Sequence, residues 1–232
     1  DRKTVRSYEI HVGRDILDRA GLLLAKNNWA ARYVIVSDSR VASLYGGEIL
    51  DLLLRMDLKT DLIDFPEGEA SKTVQTCLEI LEKMAGLGAD RTSAVIALGG
   101  GVTGDVAGFA ASIFMRGIPC IQIPTTLLAQ VDSSIGGKTG VDTEAGKNYI
   151  GTFHQPKAVF SDISFLKTLP EAEIRNGLAE IVKYGIIESP EILDILDEQA
   201  ESLLLRDAAL LEGLVLQCCR IKKGIVELDE KD

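Results

Sequence analysis

Histidine is nearly absent from this sequence. The chain contains only two histidines, His11 and His154, and they lie far apart. Metal sites in proteins bring three or four ligands together around one ion. A metal centre built mainly from histidines therefore cannot be assembled from this chain alone.

Cysteine is also scarce. The four cysteines have no C-x-x-C spacing, and each lies in an apolar stretch: Cys77, Cys120, Cys218 and Cys219. This pattern excludes the common zinc-binding and disulfide frameworks, and it favours buried, reduced thiols. We therefore expect a cytoplasmic protein.

Long apolar runs and an excess of basic residues are missing as well. No uncharged apolar stretch is long enough to span a membrane, and the N-terminus shows no signal-peptide pattern. The formal net charge of −10 argues against a nucleic-acid surface but leaves room for a local basic pocket that binds an anionic metabolite. Because the chain begins at Asp1 without Met, we expect the natural protein to be longer.

The first part of the chain alternates short apolar runs with amphipathic segments. The predicted strands are Ser7–Val12, Tyr33–Val36, Asp61–Phe65, Ala94–Leu98, Cys120–Ile123 and, as a strand or hairpin, Ala158–Ile163. The predicted helices between them are Arg14–Asn27, Val41–Met56, a helix that ends near Leu87, and Val106–Met115. Such alternation predicts an α/β fold with a parallel sheet that helices cover on both faces.

The chain changes character at Pro170. No strand pattern follows it, and three segments read as helices: Glu173–Glu188, Pro190–Leu205 and Ala208–Glu227. We therefore predict an α/β domain over residues 1–170 and the start of an all-helical domain over residues 171–232.

A glycine-rich turn follows the fourth predicted strand. Gly99, Gly101 and Gly104 fit G-x-G-x-x-G between a strand and a helix, which is the context for binding a pyrophosphate. The motif nevertheless comes late in the chain, and no acidic residue stands about 20 positions after it, as the usual dinucleotide fingerprint requires.

Ligands of parallel sheets bind beyond the carboxyl ends of the strands, so the residues there matter most. Asp38 can accept the hydroxyls of a ribose or cap a helix, and Asp105 can bind a ligand or complement a helix dipole. Thr125 and Thr126 can bind a cofactor or cap the next helix. Residue types alone leave these alternatives open.

The segment Ser133–Lys147 contains four glycines and two lysines, and we predict a long functional loop. Lys138 and Lys147 either form a phosphate or carboxylate site or lie solvated on the surface. Further along, Glu180 and Lys183 form either an ordinary ion pair on an amphipathic helix or part of a site.

Many of these segments, in order, resemble 3-dehydroquinate synthase. The matching segments are Gly99–Asp105, Met115–Gly117, Ile123–Ser134, Gly136–Gly140, Gly146–Asn148, Gln155–Pro156, Leu166–Pro170 and Gly177–Gly185. The resemblance extends from about Asp38 to Asp232 and is densest between Leu98 and Gly185.

The resemblance implies a Rossmann-like NAD-binding domain followed by an all-helical domain that binds metal and substrate, incomplete in this chain. It implies conversion of the sugar phosphate 3-deoxy-D-arabino-heptulosonate 7-phosphate (DAHP) into 3-dehydroquinate and phosphate, a lyase step of the shikimate pathway. NAD would be recycled, and a divalent zinc or cobalt ion would polarise the C5 hydroxyl. A homodimer is also implied.

The resemblance assigns roles to individual residues. The implied cofactor-binding residues are Asp38, Glu69, Lys72, Gly100, Gly101, Val102, Thr103, Gly104, Asp105, Thr125, Thr126, Lys138, Lys147, Phe165, Leu166, Lys167 and Thr168. The implied catalytic and substrate-binding residues are Arg116, Asp132, Lys138, Lys147, Asn148, Lys183 and Lys222. Arg116 would reach the substrate phosphate, in this family across a dimer.

Glu180 would be a metal ligand, and the family's two metal-binding histidines would lie beyond Asp232. We therefore expect this chain to bind NAD without turnover. The alternatives are a related sugar phosphate cyclase of the 2-deoxy-scyllo-inosose or epi-valiolone synthase type, a non-catalytic NAD-binding module, or a relative of iron-type alcohol dehydrogenases that exchanges NADH freely.

Overall fold

The computed structural model describes residues 7–229, so the outer ends of the two predicted domains, residues 1–6 and 230–232, lie outside the described residues. The strands are β1 (Glu9–Gly13), β2 (Arg32–Asp38), β3 (Thr60–Phe65), β4 (Ser93–Gly99), β5 (Cys120–Pro124), β6 (Lys138–Thr143), β7 (Gly146–Phe153) and β8 (Ala158–Asp162). The α-helices are α1 (Leu17–Asn27), α2 (Ser39–Val41), α3 (Gly47–Arg55), α4 (Val74–Gly86), α5 (Gly101–Ile113), α6 (Glu171–Ile187), α7 (Pro190–Glu198), α8 (Ala200–Leu204) and α9 (Ala208–Leu228).

The predicted parallel sheet is confirmed. Six strands pair in the order β1-β8-β5-β4-β2-β3, and every pairing is parallel. The central strand β4 is buried along its whole length, as expected for a strand that helices cover on both sides.

Each face of the sheet has its own apolar core. On one face, side chains of β2 and β4 pack against α4 and α5, where Cys77, Ile80 and Val106 are almost fully buried. On the other face, alternate side chains of the same strands pack against α1 and α3, through Leu24 and Ile49. The four cysteines are free and buried, as predicted, and burial raises the pKa of the Cys120 thiol to about 12.

The chain changes direction at the centre of the sheet. From β2 it continues to β3 on one side, then crosses back to β4 on the other side of β2 and continues to β5. This reversal opens a crevice beyond the carboxyl ends of β2 and β4, which is where open α/β sheets bind ligands.

Three predicted elements differ from the structure. Helix α5 begins at Gly101 rather than Val106, so the glycines of the motif lie inside the helix, where they permit close packing on β5: a Cβ on Gly104 would lie 3.0 Å from Gln122 Oε1. The predicted long loop at residues 133–147 is in large part the antiparallel hairpin β6–β7, in which Gly140 pairs with Gly151. The helix predicted for Pro190–Leu205 is two helices, α7 and α8, because the backbone leaves helical geometry at Gln199.

A third core joins the helices to the edge of the sheet. Leu127, Val131 and Ile163, which precede Pro170, pack in one cluster with Ile181 and Leu214, which follow it. Strand β1 contributes Ile10 and Val12 to the same cluster. The helical segment is therefore packed directly on the segment between β5 and β6 and on the edge of the sheet.

Candidate active site at the carboxyl edge of the sheet

The glycine motif forms the start of α5 at the end of β4. Gly100 is the N-cap residue, and no side chain caps this end of the helix. The first N–H groups of a helix have no partner within the helix, so those after Gly100 are available to an anion. The motif thus has the geometry of a phosphate-binding helix start, although it is more helical than the sequence predicted.

Gly100 is also a point of close approach between two strand ends. A Cβ on Gly100 would lie 2.9 Å from Cγ2 of Thr126. Thr125 donates its backbone N–H to Gly99 O at 2.9 Å, and Thr126 accepts the N–H of Ala129 at 3.2 Å. Thr126 therefore caps the turn that follows β5, and it also borders the glycine turn, as a cofactor-binding role would require.

Asp38 lies at the end of β2, across the crevice from the glycine turn. Its Oδ1 accepts the backbone N–H of Val41 at 3.0 Å, so it caps α2. Its Oδ2 accepts the hydroxyl of Thr103 at 3.2 Å. The structure thus places Asp38 beside the first turn of α5, and the capping alternative raised by the sequence is one of its roles.

The segment Ile163–Thr168 after β8 is a 3-10 helix. Phe165 and Leu166 are buried in core clusters, and the ring of Phe165 packs edge-on against Tyr45. Lys167 and Thr168 are exposed, and the Thr168 hydroxyl is hydrogen-bonded to that of Tyr45. Phe165 and Leu166 therefore shape the site by packing, and their exposed neighbours are the ones available to a ligand.

Lys72 and Asp105 form a buried ion pair behind the glycine turn. Lys72 Nζ lies 2.6 Å from Asp105 Oδ2, and the lysine side chain is 7% exposed. Burial raises the pKa of Asp105, although the nearby Lys72 acts in the opposite direction. The resemblance assigns both residues to the cofactor, and in this structure they contact each other.

The tip of the β6–β7 hairpin reaches the loop after β3. Lys147 Nζ lies 2.7 Å from Glu69 Oε1, and this hydrogen bond raises the pKa of Lys147. Asp142 donates its backbone N–H to Lys72 O at 2.8 Å, and its side chain accepts the N–H of Asn148. The hairpin thus brings Lys147 and Asn148 to the Lys72–Asp105 pair.

An open pocket of about 320 Å³ lies between α5 and the hairpin. Lys138, Asn148 and Asp105 line it together with five further residues: Thr139, Tyr149, Gly151, Thr152 and Phe153. Lys138 is exposed, and no ion pair links it to a carboxylate among the described residues. Asp105, a predicted cofactor-binding residue, therefore lines the same pocket as Lys138 and Asn148, which are predicted substrate-binding residues.

Asp132 is the centre of the second predicted cluster. Its Oδ1 lies 2.9 Å from Lys222 Nζ, 3.7 Å from Lys183 Nζ and 2.8 Å from the Tyr184 hydroxyl. Burial acts to raise the pKa of Asp132, but Lys222, Tyr184 and Lys183 hold it below its usual range. Residues far apart in sequence thus form one charged group, in which two ammonium groups face the Asp132 carboxylate.

Glu180 joins this cluster through an ion pair with Lys183. Between residues 7 and 229, no group of three or more His, Cys, Asp or Glu side chains is arranged to hold a metal ion. The described residues alone therefore do not form a complete metal site, and Glu180 is a single potential ligand.

Arg116 lies at the opposite end of α5 from the glycine turn. It lies just beyond the C-terminal end of α5, is exposed, and has a left-handed backbone conformation with φ of 72°. A helix of 13 residues is about 20 Å long, so Arg116 lies that far along α5 from the glycine turn.

The sequence interpretation missed Tyr184. Tyr184 lies in the segment Gly177–Gly185, which resembles the family. A single tyrosine in an amphipathic helix is nevertheless usually a core residue, so the sequence alone suggests no role for it. The signal that could have drawn attention to it is its position directly after Lys183, with a hydroxyl that must find a partner when buried.

None of the helices described in the structure combines the length and the apolar character that crossing a membrane would need.

Comparisons with known proteins identify the family of this chain. Residues 62–176 match the family model of the 3-dehydroquinate synthase N-terminal domain, and residues 177–232 match that of the C-terminal domain. A 3-dehydroquinate synthase of Desulforamulus reducens is 44% identical over 227 residues, which are 98% of this chain and 63% of that relative. The chain therefore spans somewhat less than two thirds of the length of such relatives.

Solved structures of related cyclases have the same fold. ValA, a 2-epi-5-epi-valiolone synthase of Streptomyces hygroscopicus with NAD+ and Zn2+ bound, matches with a TM-score of 0.87 and 33% identity, over 98% of this chain and 62% of ValA. A 2-deoxy-scyllo-inosose synthase complexed with carbaglucose-6-phosphate, NAD+ and Co2+ matches with a TM-score of 0.73 and 25% identity, over 98% of this chain and 68% of that one. From the two family models, the sequence identity and the shared fold, we conclude that this chain belongs to the 3-dehydroquinate synthase family.

Proposed function

We propose that this chain is the NAD-binding and part of the substrate-binding portion of a 3-dehydroquinate synthase, which converts DAHP into 3-dehydroquinate and phosphate. The observation that carries the proposal is the cluster in which Lys183 of α6 and Lys222 of α9 meet Asp132, which lies on the segment between β5 and β6 that borders the glycine turn. Two lysines around one carboxylate suit a substrate that carries both anionic groups and hydroxyls.

NAD fits the residues of the crevice. The start of α5 offers unpaired N–H groups to a pyrophosphate, and Asp38 offers a carboxylate to ribose hydroxyls. NAD, when bound, supplies a transient oxidation at C5 of the substrate, and because it is restored within each turnover, a catalytic amount suffices. Lys72 would contact the nucleotide and Asp105 the pyrophosphate and nicotinamide region, with their mutual ion pair holding both in place.

The chain's own residues would bind and orient the substrate. Lys138 and Asn148, in the pocket beside α5, would contact it from the hairpin, and Lys147 would be shared with NAD. Asp132 would accept a substrate hydroxyl, while Lys183 and Lys222 would balance the charge of the substrate carboxylate. Zinc or cobalt dependence is part of the proposal through Glu180, but we derive no step through the metal, since the described residues do not complete its site.

The decisive assay follows phosphate release from DAHP by the natural full-length protein, with catalytic NAD and zinc. We expect phosphate and 3-dehydroquinate in equal amounts. Absence of phosphate release, with NAD and metal bound, would overturn the proposal. For this chain alone we expect NAD to raise the melting temperature without turnover.

A related sugar phosphate cyclase is the second candidate, because ValA and the 2-deoxy-scyllo-inosose synthase share the fold of this chain. The relative kcat/KM values for DAHP and for other seven-carbon and six-carbon sugar phosphates distinguish the two candidates. Release of free NADH during turnover would instead indicate an alcohol dehydrogenase-like reaction.

A homodimer and a cytoplasmic location complete the proposal. Arg116 lies at the opposite end of α5 from the glycine turn, and a role on the substrate phosphate across a dimer is part of the proposal. Exposed apolar side chains near this end of α5 and on β7, Met115, Tyr149 and Phe153, suit such a contact. The four free thiols support a reducing compartment.

A further inference from the structure

Tyr184 combines a fixed ring with a hydroxyl that meets a predicted substrate residue. Tyr184 is 1% exposed, and its ring packs in the core cluster that links the helical segment to the edge of the sheet. Its hydroxyl lies 2.8 Å from Asp132 Oδ1 and 3.1 Å from the backbone oxygen of Val131. The position of the hydroxyl is therefore set by core packing and is independent of any ligand.

The other contacts of the Asp132 carboxylate come from lysines. Lys222 Nζ lies 2.9 Å and Lys183 Nζ 3.7 Å from the same Oδ1, and Lys183 is 45% exposed. Long lysine chains leave considerable rotamer freedom, whereas a packed tyrosine has almost none. In the described part of the chain, all these contacts use Oδ1, which leaves Oδ2 for a ligand.

We propose that Tyr184 is a positioning residue, which fixes the carboxylate of Asp132 so that Oδ2 faces the bound substrate. The proposal rests on the proposed function only where it identifies the partner of Oδ2 as a hydroxyl of a sugar phosphate. The orientation of Asp132 by Tyr184 is a statement about this chain alone.

The protonation state of the phenol supports this role. Burial, together with the charge of Asp132, raises the pKa of Tyr184. The hydroxyl therefore keeps its proton at every pH at which the enzyme would work, and it remains a donor to a carboxylate that is itself ionised.

The test compares Tyr184→Phe with a matched control, Tyr33→Phe, in the natural full-length protein. Tyr33 is equally buried, but its hydroxyl meets backbone groups, among them the oxygen of Leu24 at 3.4 Å, and none of them belongs to a predicted site residue. Both changes remove one hydroxyl and keep the ring, so thermal melting checks that the two variants are equally folded. Steady-state kinetics with DAHP and a crystal structure of each variant are then compared.

We expect Tyr184→Phe to lower kcat about tenfold and to change KM less than about twofold, because the charges that bind the substrate remain while the orientation of Asp132 is lost. We expect its crystal structure to show a rotated Asp132 carboxylate, and Tyr33→Phe to match the wild type. A kcat within about twofold of Tyr33→Phe would overturn the proposal. If the wild-type protein does not act on DAHP, the proposed function fails. The positioning role is tested independently of activity, because an unmoved Asp132 carboxylate in the Tyr184→Phe crystal structure would overturn it.

Discussion

Asp38 and Thr103 join the end of β2 to the first turn of α5 across the crevice of the sheet: the Thr103 hydroxyl donates to Asp38 Oδ2 at 3.2 Å. The other oxygen of the same carboxylate caps helix α2 through the N–H of Val41. Capping needs only one acceptor oxygen, whereas binding two ribose hydroxyls favours a charged carboxylate. The two functions of Asp38 can therefore be separated by substitution.

Asp38→Asn keeps an acceptor for the cap but removes the charge. We expect NAD affinity, measured by calorimetry, to fall about tenfold, while the free energy of unfolding in urea changes by less than about 0.5 kcal/mol. Asp38→Ala serves as the comparison, and it should also destabilise the fold by about 1 kcal/mol through loss of the cap. Unchanged NAD affinity in both variants would mean that Asp38 is only a helix cap.

Gly100→Ala tests the close approach at the glycine turn. The new Cβ would lie 2.9 Å from Thr126 Cγ2, so the turn and Thr126 must move apart. We expect NAD to stabilise this variant at least about 1 kcal/mol less than the wild type, measured as the ligand-induced shift in unfolding. Gly47→Ala is the matched control, because Gly47 has helical backbone angles and no atom within 4 Å of a new Cβ. An equal NAD response of the two variants would contradict the prediction.

Asp132 gives a prediction about pH. Lys222, Tyr184 and Lys183 outweigh the effect of burial and hold its pKa below the usual value. A carboxylate with a lowered pKa in the folded state adds stability above its unfolded pKa, and that stability is lost as pH falls through the folded pKa.

We therefore expect Asp132→Asn to be about 1–2 kcal/mol less stable than the wild type from about pH 5 to 7. The difference should shrink below about pH 4, as Asp132 becomes protonated in the wild type. Urea denaturation across this pH range measures it. A difference that stays constant to the lowest pH would show that the ionised carboxylate is not its source.

Glu180→Gln tests the metal assignment in the natural full-length protein. We expect a loss of zinc-dependent phosphate release of about a hundredfold or more, with NAD binding retained, because an amide is a much weaker zinc ligand than a carboxylate. Glu173→Gln is the control on the same helix, where Glu173 accepts a hydrogen bond from Asn176 at 3.2 Å. Full activity of Glu180→Gln with zinc bound would exclude Glu180 as a metal ligand.

The sheet was predictable from the sequence because each buried strand carries its own local signal. Val34, Val95 and Ile121 lie in apolar runs bounded by polar or turn residues, and those runs became β2, β4 and β5. The helical character of the last third of the chain was equally clear, since apolar residues recur there at helical spacing.

The elements that were predicted incorrectly depend on packing between distant segments. Gly104 disfavours a helix by propensity, yet it lies in α5, where the absence of a side chain lets the helix approach Gln122 of β5 closely. The β6–β7 hairpin was missed because its glycines hide the alternation of a strand. Likewise, no local pattern could show that Tyr184 reaches Asp132, since the contact joins residues 52 positions apart.

The core that links Leu127 and Val131 to Ile181 and Leu214 has a consequence for how the chain can be divided. A polypeptide cut at Pro170 would leave the apolar side chains of the segment between β5 and β6 facing water, on the very segment that carries Asp132. Such a piece would aggregate or lose the order of that segment, so the α/β part and the helical part should unfold together. Ligand binding at the glycine turn would then protect amide hydrogens in α6 and α9 from exchange, because both helices pack on the segment that borders the turn.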